Sequence, residues 1–307
     1  MPASRIRYAR LATEGANPRS RALDRMTPRE IATLMNREDR RAVLAVGRVT
    51  AEIAAAVEMT VAAFRAGGRL VFVGAGTSGR LGVLEAAECP PTFGTPPRLV
   101  QAIIAGGRGA VFRSREGAED DQIAARRAVR ARVRRGDVVV GVSASGVTPF
   151  VSAALTAARR QGAKTVLVAC NAERARGPRP AADIRIVPAT GAEVLAGSTR
   201  LKAGTATKLV LNTLTTATMT GLGRVFGNQM IDLQPRSAKL RERALRLVAD
   251  LAGVSRGRAR AALKTSRGRV RLAVVMARGR QNAAEASHAL GVAGGSLRLT
   301  LQKLRRK

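Results

Sequence analysis

The sequence predicts an α/β fold: a parallel sheet with helices on both faces, followed by a small C-terminal all-helical unit. Three observations carry this. Apolar β-type runs at 69–74, 98–105, 137–143, 164–170 and 183–188 alternate with helical patterns at 79–88, about 110–134 and 149–161. Such near-continuous Val, Ile and Leu runs belong to strands buried on both faces. Two of the runs stop in loops rich in Gly, Ser and Thr that open into helices, Gly74–Gly79 and Ser143–Thr148. From about residue 237 the chain turns basic and helical in pattern, with no further strand signal.

Taken in order, residues 1–26 read as an arm with little periodicity. Thr27-Pro28-Arg29-Glu30 opens a helix, with Thr as N-cap, Pro in the first position and Glu at the third to close a capping box. Helical patterning runs on, with one break, to Phe64, and Gly67-Gly68 stops it. The helix after the first loop is expected to end at Pro90-Pro91, leaving Glu88 at a chain reversal near the ligand edge of the sheet. A long helix is expected at 202–220 despite its many threonines. In the tail, ALKTSRGRVRLAV (262–274) and ALGVAGGSLRLTL (289–301) form a weak repeat, each copy reading as helix, glycine stop, helix. The organisation is therefore 1–66, an arm and helices; 67–236, the α/β domain; and 237–307, the small helical domain.

Composition narrows the class. A hydrophobic fraction of 46% over 307 residues supports a full core, with aromatics at only 2%. The net charge of +33 invites a nucleic-acid reading. Arg and Lys are spread along the whole chain, however, and stacking aromatics are scarce, so specific nucleic-acid binding is disfavoured. Cys89 and Cys170 form no CxxC pair and His288 is the single histidine, which argues against a zinc site and for a reducing compartment. No signal core or membrane-length apolar run is present, so a cytoplasmic location with no membrane partner is expected.

The loops carry the chemistry. Gly74-Ala75-Gly76-Thr77-Ser78-Gly79 formally fits GxGxxG. A dinucleotide fold also wants an acid at the end of the next strand, and that strand ends Ile104-Ala105-Gly106-Gly107-Arg108. The Thr77 and Ser78 hydroxyls suit a compact phosphate monoester better, held at a helix N-terminus by backbone N–H groups and the helix dipole. The second loop, with Ser143, Ser145 and Thr148, repeats the device. Between the loops gather Glu85, Glu88, Glu116, Glu119, Asp120 and Asp121. For Glu88 and Glu119 composition leaves two readings open, an acid–base pair or acids paired with Arg on solvated helix faces. Glu85, Asp120 and Asp121 read as acids paired with Arg on solvated helix faces. A Ser–His hydrolase is weak, with no GxSxG elbow and the one histidine in the tail. A third loop, 191–208, brings Glu193, Ser198, Thr199, Arg200, Lys202 and Lys208 to another helix start. Cations there oppose the helix dipole unless an anion is present.

The segments TEGAN (13–17), GAGTSGRLG (74–82), ECPPTFG (88–94), EGAED (116–120), SASGVTP (143–149), GAEVLAGSTRLKAGTATKLVLN (191–212) and GRVFGN (223–228) resemble the N-acetylmuramic acid 6-phosphate etherases. These are members of the sugar isomerase (SIS) domain family, related to glucokinase regulatory protein. The resemblance implies a SIS-type α/β domain and cleavage of the D-lactyl ether of a phosphorylated amino sugar, without metal or nucleotide cofactor. It implies Glu88 as proton donor to the leaving oxygen and Glu119 as the second acid–base residue. Gly76, Thr77, Ser78, Ser143, Ser145 and Thr148 become the sugar-phosphate contacts, in a cytoplasmic homodimer that recycles cell-wall sugars. Three features depart from the pattern: Val147 where the family usually carries Arg, the segment AERARGPRP after Asn171, and the +33 charge.

Overall fold

The computed structural model describes residues 11–174, 182–235 and 237–304. They form two compact units: residues up to Ala87 with Arg98–Thr215, and Glu88–Pro97 with the residues from Thr216 on. Residues 1–10 of the expected arm, and most of the AERARGPRP segment, lie outside the described residues.

The first unit is built on five strands, β1 (Leu70–Gly74), β2 (Val100–Ile104), β3 (Val138–Val142), β4 (Lys164–Val168) and β5 (Ile184–Ile186). They lie in the order β2-β1-β3-β4-β5, with neighbours parallel. In such doubly wound sheets the direction of winding reverses between β1 and β3, and ligands bind at the carboxyl ends of the strands there. The register sets Gly74 beside Val142. The two glycine- and hydroxyl-rich loops therefore leave from adjacent strand ends, one strand spacing of about 4.8 Å apart.

Both faces are covered, which is why every residue of β1 and β3 is buried. On one face Val71, Val73, Ile103, Val139 and Leu167 pack with Ala125 and Val129 of α4 (Gln122–Arg132) and with Phe150, Ala154 and Leu155 of α5 (Pro149–Arg160). Gly141 allows that approach, since a Cβ on it would lie 2.8 Å from Val151 Cγ1. Phe72, one residue out of phase, faces the other side, as the two-residue period of a strand requires. There it meets α3 (Gly76–Phe93), where a Cβ on Gly82 would stand 2.8 Å from Phe72 Cβ.

Upstream, α1 (Pro28–Gly47) starts with the expected capping box of Thr27 and Glu30, and α2 (Thr50–Arg65) follows the expected break. Residues 11–26 are not an arm. Leu11, Thr13, Asn17 and Ser20 are buried. Three successive 3₁₀ turns shape the segment, so it lacks helical periodicity while still packing.

Two helix boundaries differ from expectation. Helix α3 runs through Pro90 and Pro91 to Phe93, so Glu88 is inside a helix, not at a chain reversal. Proline's φ is already helical, and the two prolines stand in the last turn of the helix, which continues to Phe93. The stop is Gly94, with φ +63, where a Cβ would meet Asp232 O at 2.4 Å. The 110–134 pattern is not one helix. Gly117 takes φ +72, a 3₁₀ turn occupies Ala118–Asp120, and α4 begins only after Asp121 caps Ala124 N at 2.8 Å. Glu119 therefore lies on a turn before the helix.

Helix α6 (Lys202–Gly221) spans the expected range. In the second unit a short hairpin, β6 (Val225–Phe226) and β7 (Gln229–Met230), was not anticipated; Gly227, at φ +58, makes its turn. Five helices follow: α7 (Ala238–Ala252), α8 (Arg256–Thr265), α9 (Val270–Gly279), α10 (Ala283–Val292) and α11 (Leu297–Leu304). The repeat is real in structure. Gly268 (φ +76) separates α8 from α9, and Gly295 (φ +77) separates α10 from α11. Leu245, Val248, Leu272, Val275 and Leu297 form the core of this unit. Among the described residues no helix is long and apolar enough to cross a membrane.

Candidate active site

The first loop is one residue long, Ala75, between β1 and α3. A Cβ on Gly74 would lie 2.7 Å from Gly79 N, and one on Gly79 would lie 2.6 Å from Ile104 Cγ1. Only glycines let strand and helix approach this closely. Gly76 is exposed at φ +51, with Thr77 and Ser78 half-buried on the first turn of α3. No side-chain hydrogen bond engages either hydroxyl among the described residues. Their donors and the first-turn N–H groups are the kind that accept an anion.

The second loop gathers its three hydroxyls tightly. Ser143 Oγ is 2.8 Å from Thr148 Oγ1 and 3.4 Å from Ser145 Oγ. Gly146 N donates to Ser143 Oγ (3.0 Å), and Val147 N to Ser145 Oγ (3.3 Å). Ser143 is buried, Ser145 and Thr148 half-buried, and Thr148 is the N-cap residue of α5 without capping it through its side chain. Asn171 pins the loop from outside. Its Nδ2 donates to Ser145 O (3.0 Å), Ala144 O (3.4 Å) and Thr13 Oγ1 (3.3 Å), and its Oδ1 accepts from Thr13 N (3.2 Å). Sequence reasoning missed Asn171. Its one sign is a polar residue closing an apolar run.

The third loop answers the question its cations posed. The anion at the N-terminus of α6 is the protein's own: Glu193 accepts from Lys202 N (3.0 Å) and Ala203 N (2.9 Å). Lys202 is itself buried, and its ammonium binds Glu38 Oε2 at 2.7 Å, beside Asn17 Nδ2 at 2.8 Å on the same oxygen. Burial raises the Glu38 carboxyl, but the Lys202 and Asn17 hydrogen bonds and nearby positive charge outweigh it and hold it below the ordinary range. Burial pushes Glu193 up, and the two backbone donors offset this only in part. Lys202 is thus withdrawn from ligand duty, while Ser198 and Thr199 stay half-buried and Arg200 exposed. The first turn of α3 adjoins that of α6: Thr77 Cγ2 is 3.8 Å from the position of a Cβ on Gly204.

The acids divide differently from expectation. Glu85 is not on a solvated face. It is buried, accepting from Thr215 Oγ1 (2.8 Å) and from the Lys208 ammonium, because α3 turns it toward α6. Asp121 is exposed but serves as the α4 cap, and Asp120 is exposed beside it. Glu119 is exposed and lines a cavity of about 210 Å³ with Gly76, Ala75, Arg80, Arg115 and Glu116. Glu119 thus shares a cavity with Ala75 and Gly76 of the first loop, while Thr77 and Ser78 do not line it. Glu88 is exposed on α3 and belongs to the second unit. Cys170 is fully buried, which drives its thiol up to about 12 and removes it as a nucleophile.

A five-stranded parallel sheet with hydroxyl-rich helix N-termini at its switch point defines the chain as a SIS-type α/β protein. Residues 52–159 match the family model for the glucokinase regulatory protein N-terminal SIS domain. An N-acetylmuramic acid 6-phosphate etherase from Picosynechococcus sp. is 49% identical over 293 residues, 95% of this chain and 97% of its own. One from Gloeobacter violaceus is 50% identical over 297 residues, 96% of each chain. One from Geobacillus thermodenitrificans is 53% identical over 246 residues, 80% of this chain and 83% of its own. The chain belongs to the N-acetylmuramic acid 6-phosphate etherase family. A solved phosphoheptose isomerase from Francisella tularensis overlays with TM-score 0.48 and 18% identity, over 64% of this chain and 100% of that one, a likeness too distant to bear on chemistry.

Proposed function

We propose that this chain cleaves the D-lactyl ether at C3 of N-acetylmuramic acid 6-phosphate, yielding N-acetylglucosamine 6-phosphate and D-lactate. The observation that carries this reading is the 49% identity across 95% of the chain to a protein of that name. The anion loops support it. Gly76, Thr77 and Ser78 leave the end of β1, and Ser143, Ser145 and Thr148 leave the adjacent end of β3. Together they offer neutral donors and two helix N-termini to a sugar phosphate.

The reaction is a lyase step followed by hydration. The open-chain aldehyde makes the C2 proton acidic, and Glu119 removes it. The C3–O bond breaks as Glu88 protonates the departing lactate oxygen, leaving a C2=C3 double bond. Water then adds its hydroxyl to C3 while C2 regains a proton, so no redox change occurs. Acid–base help of this kind is worth about 10²–10⁴-fold per group. The setting we infer is a cytoplasmic homodimer in cell-wall sugar recycling.

The test is D-lactate release from N-acetylmuramic acid 6-phosphate. Glu88→Gln and Glu119→Gln should each lower kcat by about 10²–10⁴-fold with substrate binding largely kept. Full turnover in either variant removes that residue's role. Tight binding by the unaltered chain with no lactate released would instead favour a sugar-phosphate-binding regulator, the alternative suggested by the matching SIS model.

A further inference from the structure

The second unit holds a cavity of about 620 Å³ that the etherase reading does not use. Its wall carries Arg224, Arg267, Arg269 and Arg271 against one carboxylate, Asp232, a net formal charge of +3. Asp232 orients two of the four. It accepts from Arg224 Nη1 (3.2 Å) and Arg271 Nε (3.0 Å), while Arg224 Nη1 also donates to Phe93 O (3.0 Å). These two guanidinium groups are mostly covered, at 28% and 17% exposure. Arg269 Nε donates to Ser266 O at 3.1 Å. Arg267 is exposed, and no ion pair or side-chain hydrogen bond engages it among the described residues. It also holds φ +55, one of two non-glycine residues with positive φ among the described residues. An ordinary side chain pays about 1–2 kcal/mol for that conformation, although glycine, with none of this strain, stands at the very next position.

We propose that this cavity binds a phosphate monoester of sugar size, a second anion site separate in sequence from the serine- and threonine-bearing loops. Guanidinium forks match phosphate oxygens two at a time. The volume lies in the range of small-molecule sites, about 300–1,000 Å³, and exceeds what a bare phosphate fills. The first turn of α9, Val270–Leu272, forms part of the same wall, and its N-cap residue Arg269 makes no side-chain cap. Its N–H groups add to the positive wall.

The experiment is calorimetric titration of the full chain with glucose 6-phosphate, inorganic phosphate and glucose at about 0.15 M salt. It is done on a Ser78→Ala/Ser143→Ala chain, to weaken the first site, and again with Arg267→Gly or Arg269→Ala added. Because binding is read directly, absence of lactate release leaves this proposal standing. Glucose 6-phosphate is expected to bind the doubly substituted chain and glucose not to. Arg267→Gly should weaken that binding about tenfold or more without lowering Tm, since glycine suits the conformation; Arg269→Ala should weaken it too. Affinity for glucose 6-phosphate left unchanged by both arginine substitutions overturns the site. Inorganic phosphate binding as tightly as the ester overturns the sugar-sized ligand. Displacement by any oligonucleotide with steep loss in salt means bulk charge alone and overturns it as well.

Discussion

The N-terminus of α6 and those of α3 and α5 meet the same electrostatic demand in opposite ways. Each presents unpaired N–H groups at the positive end of a helix dipole. At α6 the protein supplies the anion itself, with Glu193 on the backbone donors and Glu38 on the buried Lys202. At α3 and α5 it supplies only neutral hydroxyls: Thr77, Ser78, Ser143, Ser145 and Thr148. At α6 a carboxylate of the chain itself answers the helix, whereas the starts of α3 and α5 carry hydroxyls and no acid of their own, as the proposed sugar-phosphate site requires.

The largest effect should come from removing the acid that holds Lys202. Glu38→Ala leaves Lys202, only 2% exposed, without its carboxylate, and a buried pair broken on one side loses about 3–5 kcal/mol. Urea unfolding would show this, and a loss near zero would mean that Lys202 does not depend on Glu38. Glu193→Ala removes an N-terminal acceptor from α6 and should cost about 0.5–2 kcal/mol, again with no direct effect on ligand donors. Thr77→Ala is the converse. Unfolding should change by no more than about 0.5 kcal/mol, while substrate KM rises about tenfold; the reverse pattern would erase the distinction between the two kinds of helix start.

The smallest effect is in pH. The Glu38 carboxyl lies below its ordinary value near 4.5, so its stabilisation is present above that value and lost as pH falls through its lowered one. The Glu193 carboxyl lies above 4.5. Its contribution is present below that value and lost as pH rises through the raised one. Glu193→Gln should therefore flatten the decline of stability as pH climbs from about 4.5, as urea midpoints across that range would show. An unchanged slope would place the shift elsewhere.

Much of this was legible in residues alone. The five strands, the capping box, the two glycine- and hydroxyl-rich loops and the glycine-split repeat of the tail all rest on local signals: apolar runs, cap spacing and glycine. Pro90 and Pro91 predict a helix end at Glu88, but α3 continues through both to Phe93 and stops only at Gly94, so the local proline signal misplaces Glu88. Acidity singles out Glu119 as a candidate, but its place on a turn depends on the positive φ of Gly117 and the Asp121 cap. On an amphipathic helix Glu85 reads as solvated, and only the neighbouring helix, with Lys208 and Thr215, buries it. The contacts that Asn171, Asn17 and Glu38 make left no local pattern, since each works through partners distant in sequence, from 21 to 175 residues away.

By itself, the order of residues decided which segments become strands and helices and where glycine- and hydroxyl-rich loops open a helix, because these depend on neighbours a few positions apart. Tertiary structure alone decided that β1 and β3 lie side by side, so that two loops 69 residues apart, counted from Gly74 to Ser143, start from adjacent strand ends. It also decided which carboxylates became internal counter-ions. Strand order and charge pairing are set by packing across the sheet and between helices, where the energy of an ion pair depends on burial and distance that no local pattern encodes.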